Sequence, residues 1–232
     1  MTSTQIIAIV IFLVTMAAIM TEKLHRTVAA VAGALLLILT GVLSVESGFS
    51  YVDLNTLGVL IGMMLFVAVV KNSGIFEYIA IKAAKIAKGR PWPLMVLFAL
   101  ITAVLSAFLD NVTTVLLIGP MTLAITSMLR INPIPFFMTQ IMASNIGGTA
   151  TLIGDPPNIM IGSAAGLSFT DFITNTGVAV LFVLAATIVC FYFIYGRKLH
   201  VEPEAMDSIL QLDENKAIKD RSLLIKSVVM IL

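Results

Sequence analysis

Asn145-Ile146-Gly147-Gly148-Thr149-Ala150-Thr151-Leu152-Ile153-Gly154-Asp155-Pro156-Pro157-Asn158 interrupts a long apolar run. A double proline removes two backbone donors and clashes with the preceding turn, so no helix passes through Pro156 and Pro157. The glycines predict turns at both ends of the stretch. Apolar sequence flanks it nonetheless, 136–144 before and 159–165 after. The pattern predicts a discontinuous helix over 134–166, broken in its middle. The polar side chains of the break are Asn145, Thr149, Thr151, Asp155 and Asn158, with Gly147 and Gly148 baring backbone carbonyls. Oxygen donors of this kind suit a hard cation. A phosphate-binding glycine loop is excluded, because no Gly-Lys-Ser/Thr follows.

The chain around this break has 232 residues, 59% hydrophobic and 12% charged, with a net charge of +1. Its mean hydropathy is +1.05. Soluble domains carry about 25% charged residues, and half of that cannot cover a water-facing surface. The composition excludes a soluble globule and a disordered chain. The charge balance gives no reason to expect nucleic acid. The single cysteine, Cys190, makes neither a disulfide nor a metal cluster. The expected class is an all-α polytopic membrane protein.

Charge-free apolar runs cover about 5–21, 27–43, 54–70, 94–109, 112–129 and 172–195, and a helical span takes about 20 residues. No Lys or Arg precedes the first run, so it reads as a retained span and not a cleavable signal. Lys and Arg are held on the cytoplasmic side of membranes. Lys23 and Arg26 place the first loop inside, and 44–53, with Glu46 and Asp53 and no base, falls outside. Lys71, Lys82, Lys85, Lys88 and Arg90 return 71–90 inside. Within it, 74–89 reads as a basic amphipathic helix in the interface plane, with Ile75, Ile79 and Ile86 on its apolar face. Arg197, Lys198, Lys216, Lys219 and Arg221 hold the linker 196–222 in the cytoplasm, and Lys226 follows just beyond it. The N-terminus is then outside, and the chain is integral to the cell (plasma) membrane. The run from Leu223 to Leu232 rises only about 15 Å as helix, so 223–232 reads as the start of a truncated span.

From Arg90 to Arg197 the chain must cross an even number of times. The broken helix 134–166 is one crossing and 172–195 another, so 94–129 leaves and returns on one side. Its arms rise about 24 and 27 Å, short of a hydrocarbon core of about 30 Å, and they turn at Asp110-Asn111. The expectation is a re-entrant hairpin with a polar tip. Between Arg90 and Asp171 only Asp110, Arg130 and Asp155 are charged, and parity leaves Arg130 at the surface. A carboxylate at depth costs at least about 2.5 kcal/mol on insertion scales, which marks both acids as functional candidates. Asp110 also suits a helix N-cap. Asn111, Thr113 and Thr114 follow it, where free N–H groups carry partial positive charge. Interrupted helices of this kind form the midplane sites of secondary transporters. The expected site comprises Asp110, Asn111, Thr113, Thr114, Asn145, Gly147, Gly148, Thr149, Thr151, Asp155 and Asn158, with Pro156 and Pro157 as the helix break. Asn111, Asn145 and Asp155 are the candidate sodium ligands, and no resident cofactor is expected.

Paired in this way, the Asp-Asn-x-Thr-Thr tip at 110–114 and the break at 145–158 resemble the arsenite permease branch of the ion transporter superfamily. That branch is similar to the P proteins, to certain bacterial sodium/proton antiporters and, more distantly, to divalent-anion/sodium symporters. The resemblance covers essentially the whole chain. It implies that 1–195 is one of two inverted repeats, that a second repeat is missing, and that the transporter works as an elevator and as a homodimer. Where the symporters carry Ser-Asn-Thr and Gly-Thr-Pro-Pro-Asn, this chain places Asp110 and Asp155. Two fixed negative charges repel a dicarboxylate and favour a neutral or cationic solute, or proton coupling. Arsenite or antimonite, largely uncharged near neutral pH, fits such a small-inorganic-solute site. Sodium/proton exchange fits equally well, so the coupling ion is H+ or Na+. An intramembrane aspartyl protease also pairs two carboxylates, but it predicts Gly-x-Gly-Asp where this chain has Leu152-Ile153-Gly154-Asp155. A nontransporting receptor or scaffold is a third class. The motifs favour transport over any enzyme activity.

Gly33, Gly41, Gly58 and Gly62 read as points of close helix packing. The thirteen methionines read as packing filler, Cys190 as a packing residue, and His25 and His200 as solvated surface groups.

Overall fold

The computed structural model describes residues 2–220 and 222–226. Arg221 and 227–232, and with the latter most of the run expected over 223–232, lie outside the described residues. Among the described residues the chain is helical, without strands, in agreement with the all-α class. It divides into two compact units at Leu54/Asn55.

The first unit holds α1 (Ser3–Met20), α2 (Arg26–Leu39) and α3 (Val45–Ser50). Thr2 and Gln5 close a capping box on α1, the Thr2 N–H donating to Gln5 Oε1 at 2.9 Å. α1 packs on α2 at Gly33, where a Cβ would strike the Thr15 side chain. The span expected over 27–43 ends early. Gly41 turns left-handed at φ +69°, and the Leu43 N–H returns to the Leu37 carbonyl at 3.1 Å, so the helix closes at Leu39. Gly41 is thus a terminator and not a packing residue. α1 buries none of its residues, and Phe12, Leu13 and Val14 stand exposed, a surface that suits lipid.

The second unit begins with α4 (Leu54–Lys71). No described atom lies within 4 Å of a Cβ built at Gly58 or Gly62, so neither is a close-packing point among the described residues. Then follow α5 (Ile75–Ile86), α6 (Pro91–Ser106), α7 (Asn111–Met128), α8 (Ile134–Gly148), α9 (Pro156–Ala165), α10 (Phe169–Phe172), a π-turn (Ile173–Gly177) and α11 (Val178–Ile194). The linker folds as well, into a 3-10 turn (Gly196–Lys198), α12 (Pro203–Leu210) and a second 3-10 turn (Glu214–Ala217). Ser3–Met20, Leu54–Lys71, Asn111–Met128 and Phe169–Lys198 are long and apolar enough to cross a membrane, while Arg26–Leu39 and Pro91–Ser106 are apolar but shorter. Cys190 is exposed on α11, so it is not packed inside this chain.

α6 and α8 lie against one another along much of their length. Phe98 and Phe136 meet edge to face with centroids 6.4 Å apart, both fully buried. The same cluster takes in Leu94, Leu129, the α5 alanines Ala80, Ala83 and Ala84, and Ile209 of α12. α5 buries its small face and Phe76 inside the protein, and on the isoleucine face Ile75 and Ile79 are half-buried while Ile86 is 64% exposed. The alanines let the α5 backbone approach its neighbours closely. Lys85 leaves the lysine face for Glu214, at 2.5 Å, and for the Leu212 carbonyl at 3.1 Å. The Lys219 N–H donates to the Ser73 carbonyl at 3.0 Å, and its ammonium lies 3.8 Å from Glu77. Gly89 permits this approach, since a Cβ there would press on Met206. Residues 199–220 are a strap fastened to α5.

Candidate functional site

The hairpin tip is the segment 107–110 between α6 and α7. Asp110 is the N-cap of α7, with φ −65° and ψ 152°, and its Oδ1 accepts the Thr113 N–H at 2.9 Å. Capping and charge both belong to this residue. Asn111 reaches α8, its Nδ2 donating to Asn145 Oδ1 at 2.9 Å. Thr114 is fully buried, and among the described residues its hydroxyl has no hydrogen-bond partner.

The glycine pair predicts a turn at Gly147-Gly148, but α8 runs through both and stops at Gly148. Their role is contact. A Cβ at 147 would collide with the Ala103 backbone of α6, and one at 148 would lie 2.9 Å from the Gly154 carbonyl. A Cβ at 154 would in turn lie 2.7 Å from the Ser106 carbonyl. These glycines seat the end of α8 and the loop after it directly on the end of α6. The break proper is 149–155. Pro156 and Pro157 open α9 at its first positions, where a missing donor forfeits no helical bond. The prolines therefore start the second half-helix.

Hydrogen bonds pin the loop to the hairpin. Thr151 is buried, donates to the Ala107 carbonyl at the tip, and accepts the Gly154 N–H at 3.1 Å. Asn158 Nδ2 donates to the Gly148 and Thr151 carbonyls at 3.1 and 2.9 Å. Thr149 Oγ1 turns back to the Asn145 carbonyl at 2.9 Å. Of the residues expected in the site, Gly147, Gly148, Thr151 and the Asn158 amide thus build the loop, and Thr113 contributes its backbone. Asp110, Asn111, Asn145, Thr149 and Asp155 lie at its partly open edge. Asp155 occupies the N-cap position of α9 without a side-chain bond to that helix, and its carboxylate lies within reach of the Asp110 charge. Asn145 Oδ1 is engaged by Asn111, so the candidate sodium ligands left open are Asn111 Oδ1 and the Asp155 carboxylate. A cavity of about 280 Å³ opens beside the two asparagines, with Ser144 and Ile141 in its wall. Among the described residues no cluster of three His, Cys, Asp or Glu side chains forms.

Other polar groups hold the half-helices together without having been expected in the site. Ser106 Oγ donates to the Ser144 carbonyl at 2.7 Å, bridging α6 and α8. Gln140 Nε2 donates to Thr122 Oγ1 at 2.8 Å, bridging α8 and α7 inside the core. Thr102 is buried with an unpartnered hydroxyl. Their signal in the sequence is a repeat of four. Thr102 and Ser106, Thr122 and Thr126, and Gln140 and Ser144 each recur on one face of an apolar helix.

With this geometry in place, comparison with known proteins is decisive. The model of the CitMHS citrate transporter family matches residues 16–232. The chain belongs to that family. This agrees with the resemblance to the ion transporter superfamily. A "46 kDa membrane protein" of Mycobacterium leprae is 42% identical over 232 residues, covering 98% of this chain and 54% of the relative. An uncharacterized transporter of Mycobacterium tuberculosis (strain H37Rv) is 41% identical over 226 residues, 96% of this chain and 52% of that protein. The human P protein is 38% identical over 198 residues, 79% of this chain and 23% of its own length. The chain spans about half the length of the mycobacterial relatives. The family is one of transporters, and the two mycobacterial relatives carry the names of a membrane protein and a transporter, not of enzymes.

Proposed function

We propose that this chain forms one half of a secondary active transporter for a small inorganic solute, with the solute site at the hairpin tip and the break. The observation that carries this reading is the meeting of Asp110, Asn111, Asn145 and Asp155 along one edge, in a chain of the citrate transporter family. α7 and α9 both begin there, and the partial positive charge of their N-termini offsets the two carboxylates in part. A dianion is still repelled by such a site. A solute that is neutral at physiological pH needs no counter-charge, and arsenite or antimonite hydroxide is the preferred candidate. In this scheme the hairpin is re-entrant, a second repeat completes the site, and the two move the solute as an elevator. The N-terminus faces outward and 196–220 the cytoplasm.

Sodium/proton antiport is the second reading. It is favoured by the same two acids, each at the start of a helix beside the break, which offer oxygens to either ion. Counterflow in proteoliposomes holding the intact transporter separates the two. Exchange of external for internal arsenite or antimonite is expected. Sodium-driven pH changes that are indifferent to arsenite would replace the first reading with the second.

A further inference from the structure

α4, α5, the hairpin tip and the break enclose an apolar slot of about 350 Å³, within the range of about 300–1,000 Å³ typical of ligand sites. One wall follows α4 from Met63 to Val70, about 10 Å of helix rise. The second is α5 through Ile75 and Ile79, and the third is Phe108 of the tip with Ile153 of the break. Every lining side chain is apolar, so the slot has nothing with which to hold an ion or an inorganic solute. Phe108 is 46% exposed, and the flank of α4 beside it presents Ile61, Met64 and Leu65 outward. α4 is long and apolar enough to cross a membrane.

The rim is charged. Lys71 directly follows Val70, is exposed, and is paired with no acid among the described residues. Lys82 lies one turn beyond Ile79 on α5, bonded to the Tyr78 hydroxyl at 3.2 Å. Glu77, the acid of α5, turns to Lys219 of the strap instead. Basic groups at the end of a membrane helix attract anionic headgroups. We propose that this slot binds an anionic phospholipid, one acyl chain lying between α4, α5 and the hairpin tip, with the headgroup phosphate held by Lys71 and Lys82. The lipid would then bear on the tip and the break through Phe108 and Ile153 without entering the polar edge.

Tryptophan quenching tests this on the intact protein. Trp92 is the one tryptophan of the 232 residues and lies against Tyr192, with ring centroids 5.0 Å apart. In a Trp92→Phe background, Phe108→Trp reports from the slot, and Phe182→Trp, on an exposed face of α11, reports from bulk lipid. Dibrominated phosphatidylglycerol or phosphatidylcholine is titrated into unbrominated phosphatidylcholine vesicles. The slot reporter is expected to be quenched at about a thirtyfold lower fraction of phosphatidylglycerol, the worth of two basic side chains beside an anionic headgroup. Phe182→Trp should show no preference, and Lys71→Gln with Lys82→Gln should abolish it in the slot. Phe66→Trp on α4 replaces the slot reporter if Phe108→Trp fails to insert. Equal quenching by the two lipids overturns the proposal. Quenching of Phe182→Trp with none in the slot also overturns it, because protein, either a second copy or the rest of the transporter, then covers the slot.

Discussion

Thr114 and Thr151 are both buried threonines of the candidate site, and their hydroxyls predict opposite outcomes. Thr151 joins the loop to the tip carbonyl of Ala107 and accepts from Gly154. Thr151→Val should therefore lower stability by about 1–3 kcal/mol, the cost of leaving buried partners unpaired, and Thr151→Ser should restore it in a denaturation series. Thr114 has no partner to lose. Thr114→Val is expected to leave thermal stability equal or higher while weakening solute uptake. A lower melting temperature with unchanged uptake would assign Thr114 to the fold alone. Residue type and motif position mark the two threonines identically in the sequence. Burial and the neighbouring backbone separate them, and neither can be read from a single chain.

At the scale of elements, the break was legible because two adjacent prolines cannot continue a helix, but its bounds, 149–155 inside the stretch 145–158, were not. Gly147 and Gly148 stay helical because what they need is closeness to α6, not a turn. Gly147→Ala should push α8 off the Ala103 backbone and cost about 1–3 kcal/mol or more, as overpacking does. Gly62→Ala, which meets open space, should be neutral or stabilising by up to about 1 kcal/mol. Thermal melts of the two variants side by side check the contrast. The strap was legible only as charge. The Lys85 hydrogen bond holds the Glu214 carboxyl below its ordinary value. A lowered pKa contributes to docking above the ordinary carboxylate range and ceases to as pH falls through the lowered value. Residues 203–217 should resist proteolysis at neutral pH and open to it in acid, and Glu214→Gln should remove that pH dependence.

For the whole molecule, composition and the spacing of apolar runs were enough to name an all-α membrane protein, because too few charges leave no soluble alternative. Motif pairing was enough to name its superfamily. The two-unit division and the contacts of α5 were not legible, since they depend on which of several apolar faces pack together. What the fold adds is that Asp110 and Asp155, 45 residues apart in sequence, are delivered to one edge by two helix starts held together through Thr151 and the Gly147–Ala103 contact. That arrangement, in half the length of a transporter of this family, is the central claim. It is tested most directly by solute counterflow as a function of pH and sodium in proteoliposomes of the intact transporter, wild type against Asp155→Asn, with thermal stability recorded for both. The variant is expected to insert with equal stability and to carry a flux that no longer responds to the coupling ion. Equal flux with the same pH and sodium dependence in both proteins would contradict it.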